Sequence, residues 1–387
     1  MNILVIGSGM YVTGRNNSGT GTIISSLVET SKEEQIDNII FVSNSAKSEG
    51  DVQESMIRIQ KVLNQKVPFS FYSFEKDGDQ IITKLHEECN FRCAIISVPD
   101  HLHFTFGIQC LELGIHTLIV KPLTPTLAEA KELNNKAKEK NVFGCVEFHK
   151  RYDETNLWIK QALERGELGK ISYFTVDYSQ RISIPTETFK GWADKTNIFQ
   201  YLGVHYVDLI YWLTKAIPVR ISATGVLNGL TDLGLNTYDS VHCNIEWASE
   251  KYGRFTSIHN TNWIDPNISS AMSDQKYKVI GQKGRIECDQ KNRGVEIVTD
   301  STGIQQINPY FSDYLPDENG HLKFNGYGHK SIRQFILDVN ALEMETIDLN
   351  KLTQNRPSFQ ESLISTAVIE AGNNSLGNSG EWQTINL

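Results

Sequence analysis

Over the first 148 residues of the 387-residue chain, short apolar runs alternate with longer segments of helical character. The runs at 3–6, 38–42, 94–98, 117–120 and 142–148 are rich in Val, Ile or Phe and are read as strands. Between them, 22–32, 52–63, 81–88, 103–113 and 126–138 are read as helices. Strands without a polar face need cover on both sides. The alternation therefore predicts a parallel sheet with helices on both faces, which binds its ligands at the carboxyl ends of its strands.

The texture changes after Phe148. A helix at 154–164 leads into a strand at 171–180, and a helix at about 197–215 precedes strands at 219–226, 240–247, 254–263, 276–280, 285–289 and 294–298. Turns such as Gly281-Gln282-Lys283-Gly284 join several of them, and helices near 329–342 and 358–374 close the chain. The pattern predicts an α/β domain over 1–148 and an α+β domain over 149–387, the latter built on a large, mainly antiparallel open sheet. The two are expected to pack closely about a cleft, because no long linker separates them.

Composition narrows the partners. A net charge of -9 argues against a surface made for nucleic acid, which needs clustered Lys and Arg. No run of eighteen or more apolar residues implies a membrane span, and the first residues lack the basic region and cleavage site of a signal peptide. The six cysteines (Cys89, Cys93, Cys110, Cys145, Cys243 and Cys288) form no C-x-x-C pair and mostly sit in apolar segments. Reduced, buried thiols and a cytoplasmic location are expected. The His, Cys and acidic residues show no metal-ligand spacing, and there is no G-x-S-x-G nucleophile elbow.

Chemistry enters with Gly7-Ser8-Gly9-Met10-Tyr11-Val12, directly after the first strand. Glycines there let the backbone turn tightly and approach a pyrophosphate. Val12 occupies the third glycine position, whereas Gly14, Gly19 and Gly21 enlarge the loop, so the helix is expected to start near Thr20 or Thr22 rather than at Met10. Arg15 in that loop suits a phosphate or an anionic substrate group. The second strand ends in Ser43-Asn44-Ser45-Ala46-Lys47, with no acid to grip a ribose 2′-hydroxyl. Ser43, Asn44 and Lys47 favour NADP over NAD.

Two further segments are more distinctive: Ser97-Val98-Pro99-Asp100-His101-Leu102-His103, and Gly114-Ile115-His116 leading to Val120-Lys121-Pro122. Together with Glu147-Phe148-His149-Lys150-Arg151, Gly203-Val204-His205-Tyr206-Val207-Asp208 and Gly281-Gln282-Lys283-Gly284, they make the chain resemble the Gfo/Idh/MocA oxidoreductases. The resemblance implies a Rossmann-like first domain, with Ser97, Pro99, His103, Lys121 and Pro122 beside the cofactor. It places Lys121 next to the nicotinamide, where burial and a cationic ring disfavour its ammonium form and let it share a proton with a hydroxyl. The family's glutamate before that lysine is Val120 here, so its contact is lost or supplied elsewhere. His101 and His103 fit either a cleft lining or a structural role.

In the second domain Tyr201, His205 and Asp208 follow at i, i+4 and i+7, which puts them on one helix face. His205 is the expected acid/base, and Asp208 orients it or binds a hydroxyl. Tyr201 stands where the family usually has an aspartate. His149 and Arg151 occupy family positions that approach nicotinamide or substrate, while Trp192, Trp263 and Asn262 are candidates for contact with a sugar ring. The reading is an NAD(P)-dependent dehydrogenase acting on a secondary alcohol of a sugar, nucleotide-sugar or cyclitol, assembled as a homodimer or homotetramer. A glycosidase of the same fold that keeps NAD bound, and a cofactor-binding regulator without turnover, are the alternatives.

Overall fold

The computed structural model describes residues 1–14 and 21–387, and the contacts divide them into two units. The first comprises Met1–Thr124, Ala128–Tyr152 and Tyr310–Ser362. Its centre is a six-stranded parallel sheet of β1 (Asn2–Ile6), β2 (Asn38–Ser43), β3 (Phe69–Ser73), β4 (Phe91–Ile96), β5 (His116–Val120) and β6 (Gly144–Glu147). The strand order is β3-β2-β1-β4-β5-β6, and every pair is parallel. The order reverses direction at β1, so the crevice for a ligand opens where β1 and β4 end, at Gly7 and Ser97.

Burial explains the sheet. Ile3 and Val5 of β1 lie in one apolar cluster with Ile23, Ile24, Leu27 and Val28 of the helix Thr22–Thr30 and with Val52, Met56 and Ile59 of the helix Ser48–Leu63. The same cluster takes in Phe324, Ile332, Phe335, Ile336 and Val339, most of them from the helix Tyr327–Glu343. A single cut after residue 148 therefore does not reproduce this grouping, because 310–362 packs with the first unit. The backbone agrees: the Val146 N–H donates to the Pro357 carbonyl at 2.8 Å, and Cys145 bridges to Ser358. β3, absent from the sequence reading, is a half-buried edge strand whose serines weaken its apolar signal.

The second unit comprises Pro125–Leu127, Asp153–Pro309 and Leu363–Leu387. Its sheet contains β7 (Ile171–Arg181), β8 (Ile217–Val226), β9 (Ser240–Ser249), β10 (Gly253–Asp265), β11 (Ser273–Gly281) and β12 (Gly284–Asp289). With the short strand Gln383–Thr384 the order is β12-β11-β7-β10-β9-β8 and then the terminal strand. Only β7 and β10 pair in parallel. Side chains alternate, so Phe174, Val176 and Tyr178 of β7 and Phe255, Ser257, His259, Thr261 and Trp263 of β10 are buried between more exposed neighbours. The strand expected at 294–298 lies apart from this sheet, in a hairpin of Val295–Thr299 with Gly303–Ile307. Among the described residues no helix is long and apolar enough to cross a membrane.

Candidate active-site residues

The loop after β1 begins with Gly7 at φ +108°, a conformation that side chains disfavour. A Cβ there would lie 2.1 Å from the Ser97 carbonyl oxygen, so β1 and β4 end in contact only because Gly7 has none. The Ser97 N–H donates to the Ile6 carbonyl at 2.9 Å and closes the same junction. Gly9 differs. Its backbone is extended, and a Cβ on it would meet nothing within 4 Å. The space above Gly9 is therefore a cradle that a side chain would fill, as a closely approaching dinucleotide requires.

A short helix does begin at Met10 (Met10–Thr13), closed by Gly14 in the left-handed region, and the longer helix starts at Thr22. The expectation of a single start near Thr20 or Thr22 thus changes to two helices. Val12 faces the core, and the close packing that a third glycine allows falls to Gly21, whose Cβ would sit 1.9 Å from the Val12 carbonyl oxygen. Met10 and Tyr11 are half-buried beside the loop. Arg15 and Gly19 lie outside the described residues.

At the end of β2, Ser43 is buried and its hydroxyl lies 2.9 Å from that of Ser8, which ties the two loops together. Asn44 and Lys47 are exposed. A carboxylate does reach this loop, although no residue of β2 provides it. Glu75, after β3, accepts from the Ala46 N–H at 3.0 Å and from the Ser45 hydroxyl at 3.1 Å.

Lys121 stands one residue beyond β5 and is 6% exposed; a cis peptide bond joins it to Pro122. Burial pushes its pKa down to about 8, against the pull of Asp100 and Glu147, both buried carboxylates that favour the ammonium. Glu147 pairs in register with Val120 across β5 and β6. The acid missing at Val120 is thus matched by one on the neighbouring strand. The sequence places Glu147 in the segment that carries the family resemblance but assigns it no role. Pro99 is half-buried and precedes the short helix Asp100–Leu102.

His103 is buried, with Nδ1 2.7 Å from the Pro122 carbonyl oxygen and Nε2 3.0 Å from that of Val98. It holds the two motif segments together, and burial lowers its pKa. His149 is buried with Nδ1 2.9 Å from Glu147 Oε2, and its ring stacks on Tyr327 at 5.6 Å. Arg151 is buried and lies 3.9 Å from the Glu361 carboxylate.

In the second unit, His205 and Asp208 are buried on the helix Val204–Thr214, but Tyr201 belongs to a wider π-helical turn, Phe199–Gly203, that precedes it. The continuous α-helix expected from 197 is therefore two segments, and the i, i+4 step from Tyr201 to His205 crosses their junction. Tyr201 packs in an aromatic group, with its ring centroid 4.9 Å from Phe189, 6.0 Å from Trp192 and 5.9 Å from Trp263. Trp192 is half-buried at the margin of this group. Trp263 is fully buried and its indole N–H donates to Gln180 Oε1 at 3.0 Å, which makes it core rather than a surface for a sugar.

Residues 1–148 match the oxidoreductase family with an NAD-binding Rossmann fold, and residues 157–287 match the GFO/IDH/MocA C-terminal domain. An uncharacterized oxidoreductase of Schizosaccharomyces pombe is 35% identical over 137 residues, 33% of this chain and 36% of that protein. The scyllo-inositol 2-dehydrogenase (NADP(+)) of Bacillus subtilis is 27% identical over 154 residues, 37% of this chain and 42% of that protein. The match thus spans about two fifths of the length of these curated relatives. Among solved structures, scyllo-inositol dehydrogenase from Lactobacillus casei with bound cofactor NAD(H) and scyllo-inositol superposes with a TM-score of 0.66 and 15% identity. It covers 100% of this chain and 99% of that one, and speaks for the fold. A parallel sheet with its glycine junction at β1, a buried lysine after β5, and family matches over both halves lead to one assignment: the chain belongs to the Gfo/Idh/MocA family of oxidoreductases.

Proposed function

We propose that the chain transfers a hydride between the nicotinamide of NAD or NADP and a secondary alcohol or ketone of a sugar, nucleotide-sugar or cyclitol. The observation that carries this reading is Lys121, a buried lysine with a pKa of about 8 at the carboxyl end of a doubly wound sheet. When bound, the dinucleotide supplies the hydride acceptor or donor. Gly7, Gly9, Met10, Tyr11, Ser97 and Pro99 hold it, with Asn44 and Lys47 beside its ribose, and His103 fixing Pro122 beside Val98.

Lys121 Nζ passes readily between amine and ammonium near neutral pH. It takes up the proton released from the substrate hydroxyl and returns it in the reverse direction. His205 acts with it as acid/base. Tyr201 and Asp208 flank His205 in sequence and bind substrate hydroxyls, with Trp192, His149 and Arg151 as further contacts. Inositol dehydrogenases among the relatives support a polyol or cyclitol substrate. The same reading takes the protein to be a cytoplasmic homodimer or homotetramer.

A panel of sugars, nucleotide-sugars and cyclitols, each offered with NAD and NADP and followed by nicotinamide absorbance, tests the reading. Turnover is expected with at least one polyol, and Lys121→Met should abolish it while retaining dinucleotide binding. Wild-type turnover in Lys121→Met would overturn the role of the lysine. Cleavage of a nitrophenyl glycoside without net absorbance change, or binding without any turnover, would overturn the reaction.

A further inference from the structure

The loop that follows β2 has no acid of its own, yet a carboxylate is built into it. Glu75 lies two residues past the end of β3, and β2 and β3 run parallel with Ser43 opposite Ser73. That register brings Glu75 level with the residues just beyond β2. Its N–H donates to the Asn44 carbonyl at 3.2 Å, and its Oε2 accepts from the Ala46 N–H and the Ser45 hydroxyl. The turn carrying it is fixed on both sides. The Ser73 N–H donates to Asp77 Oδ2 at 2.9 Å, the Ser73 hydroxyl accepts from the Lys76 N–H, and Phe74 stacks on Phe106 at 5.4 Å. The Ala46 N–H holds the carboxyl of Glu75 below its ordinary pKa, so the group is anionic at neutral pH.

We infer that Glu75 selects the dinucleotide, and that it selects NAD over NADP. The inference rests on the dinucleotide reading above and deepens it. In a doubly wound sheet the end of the second strand meets the adenosine ribose, where an acid grips the 2′-hydroxyl and a 2′-phosphate needs cations or small polar groups. Ala46 and Ser45 engage one oxygen of Glu75, which leaves the lone pairs of the other for a ribose hydroxyl. A 2′-phosphate at the same place would meet a fixed negative charge.

The features that favour NADP in the sequence are offset in the structure. Ser43 is buried, and its hydroxyl is engaged by that of Ser8 at 2.9 Å. Lys47 and Lys76 both act electrostatically on Glu75, and Lys76 also lies 3.8 Å from the Glu49 carboxylate, so the two cations here are accompanied by two carboxylates.

The experiment is a fluorescence titration of the full-length protein with NADH and with NADPH, for wild type and Glu75→Gln. Glutamine keeps the shape and an acceptor for Ala46 and Ser45 while removing the charge. Wild type is expected to bind NADH at least about tenfold more tightly than NADPH, the scale of one charge-assisted hydrogen bond. Glu75→Gln is expected to narrow that ratio by about tenfold, chiefly through tighter NADPH binding. A wild-type preference for NADPH, or a ratio unchanged in Glu75→Gln, overturns the role of Glu75 and leaves the dinucleotide reading standing. Failure to bind either dinucleotide overturns both.

Discussion

Lys121 is held between opposed influences, and their balance sets a measurable pH. Burial disfavours its ammonium, Asp100 and Glu147 favour it, and burial wins, which leaves the pKa at about 8. A lysine must be an amine to accept a proton. In alcohol oxidation kcat/KM should therefore rise with pH through about 8 and level off, whereas ketone reduction, which needs the ammonium, should fall over the same interval. Profiles that are flat there in both directions would contradict the role. Glu147→Gln removes one of the two carboxylates that favour the ammonium, so the same limb should move to lower pH; a move to higher pH would contradict the account. The two loop glycines make a second contrast. Gly7→Ala places a Cβ against the Ser97 carbonyl at positive φ and should cost more than about 2 kcal/mol in denaturant unfolding. Gly9→Ala meets open space, so stability should stay within about 0.5 kcal/mol while dinucleotide affinity falls. Equal stability of the two variants would refute that distinction.

Among the elements, the helix Tyr327–Glu343 shows what periodicity conveys and what it omits. Its amphipathic pattern was legible, and the strands of the first sheet other than β3 fell within a few residues of their expected places. The partner of its apolar face was not legible, because a stripe of Ile332, Phe335, Ile336 and Val339 is equally compatible with any apolar surface. Its polar side adds a fixed join: Asp338 accepts from Arg356 Nε at 2.6 Å and Nη2 at 3.0 Å, a paired contact with Asp338 buried. Asp338→Ala leaves that guanidinium, about a quarter exposed, without its carboxylate and should destabilise the first unit by about 2 kcal/mol in urea or guanidinium titrations. No change in the unfolding midpoint would show the join to be dispensable. The π-helical turn at Phe199–Gly203 was likewise hidden, since a π turn and an α turn draw on the same residue types.

For the molecule as a whole, the order of the motifs carried the family and the sheet architectures, but the grouping of segments into units did not follow the order of the chain. Acids beside the candidate residues come from neighbouring elements: Glu147 of β6 opposite Val120, and Glu75 after β3 beside the loop that follows β2. Linear spacing cannot show such neighbours, because register decides them. The grouping yields its own prediction. A fragment ending at residue 148 lacks the helix Tyr327–Glu343 and exposes Phe143, whose ring packs 6.0 Å from that of Phe335. It should be protease-sensitive and lack near-ultraviolet circular dichroism, and native-like protection of that fragment would refute the dependence.

The late arrival of that helix also has a consequence during synthesis. Ribosomes add about 5–20 residues per second, so roughly 10–40 s pass between the emergence of residue 148 and that of residue 343. For that interval the part of the apolar cluster that the late helix covers stays open, and whatever shields it must let go when Ile332, Phe335 and Ile336 arrive.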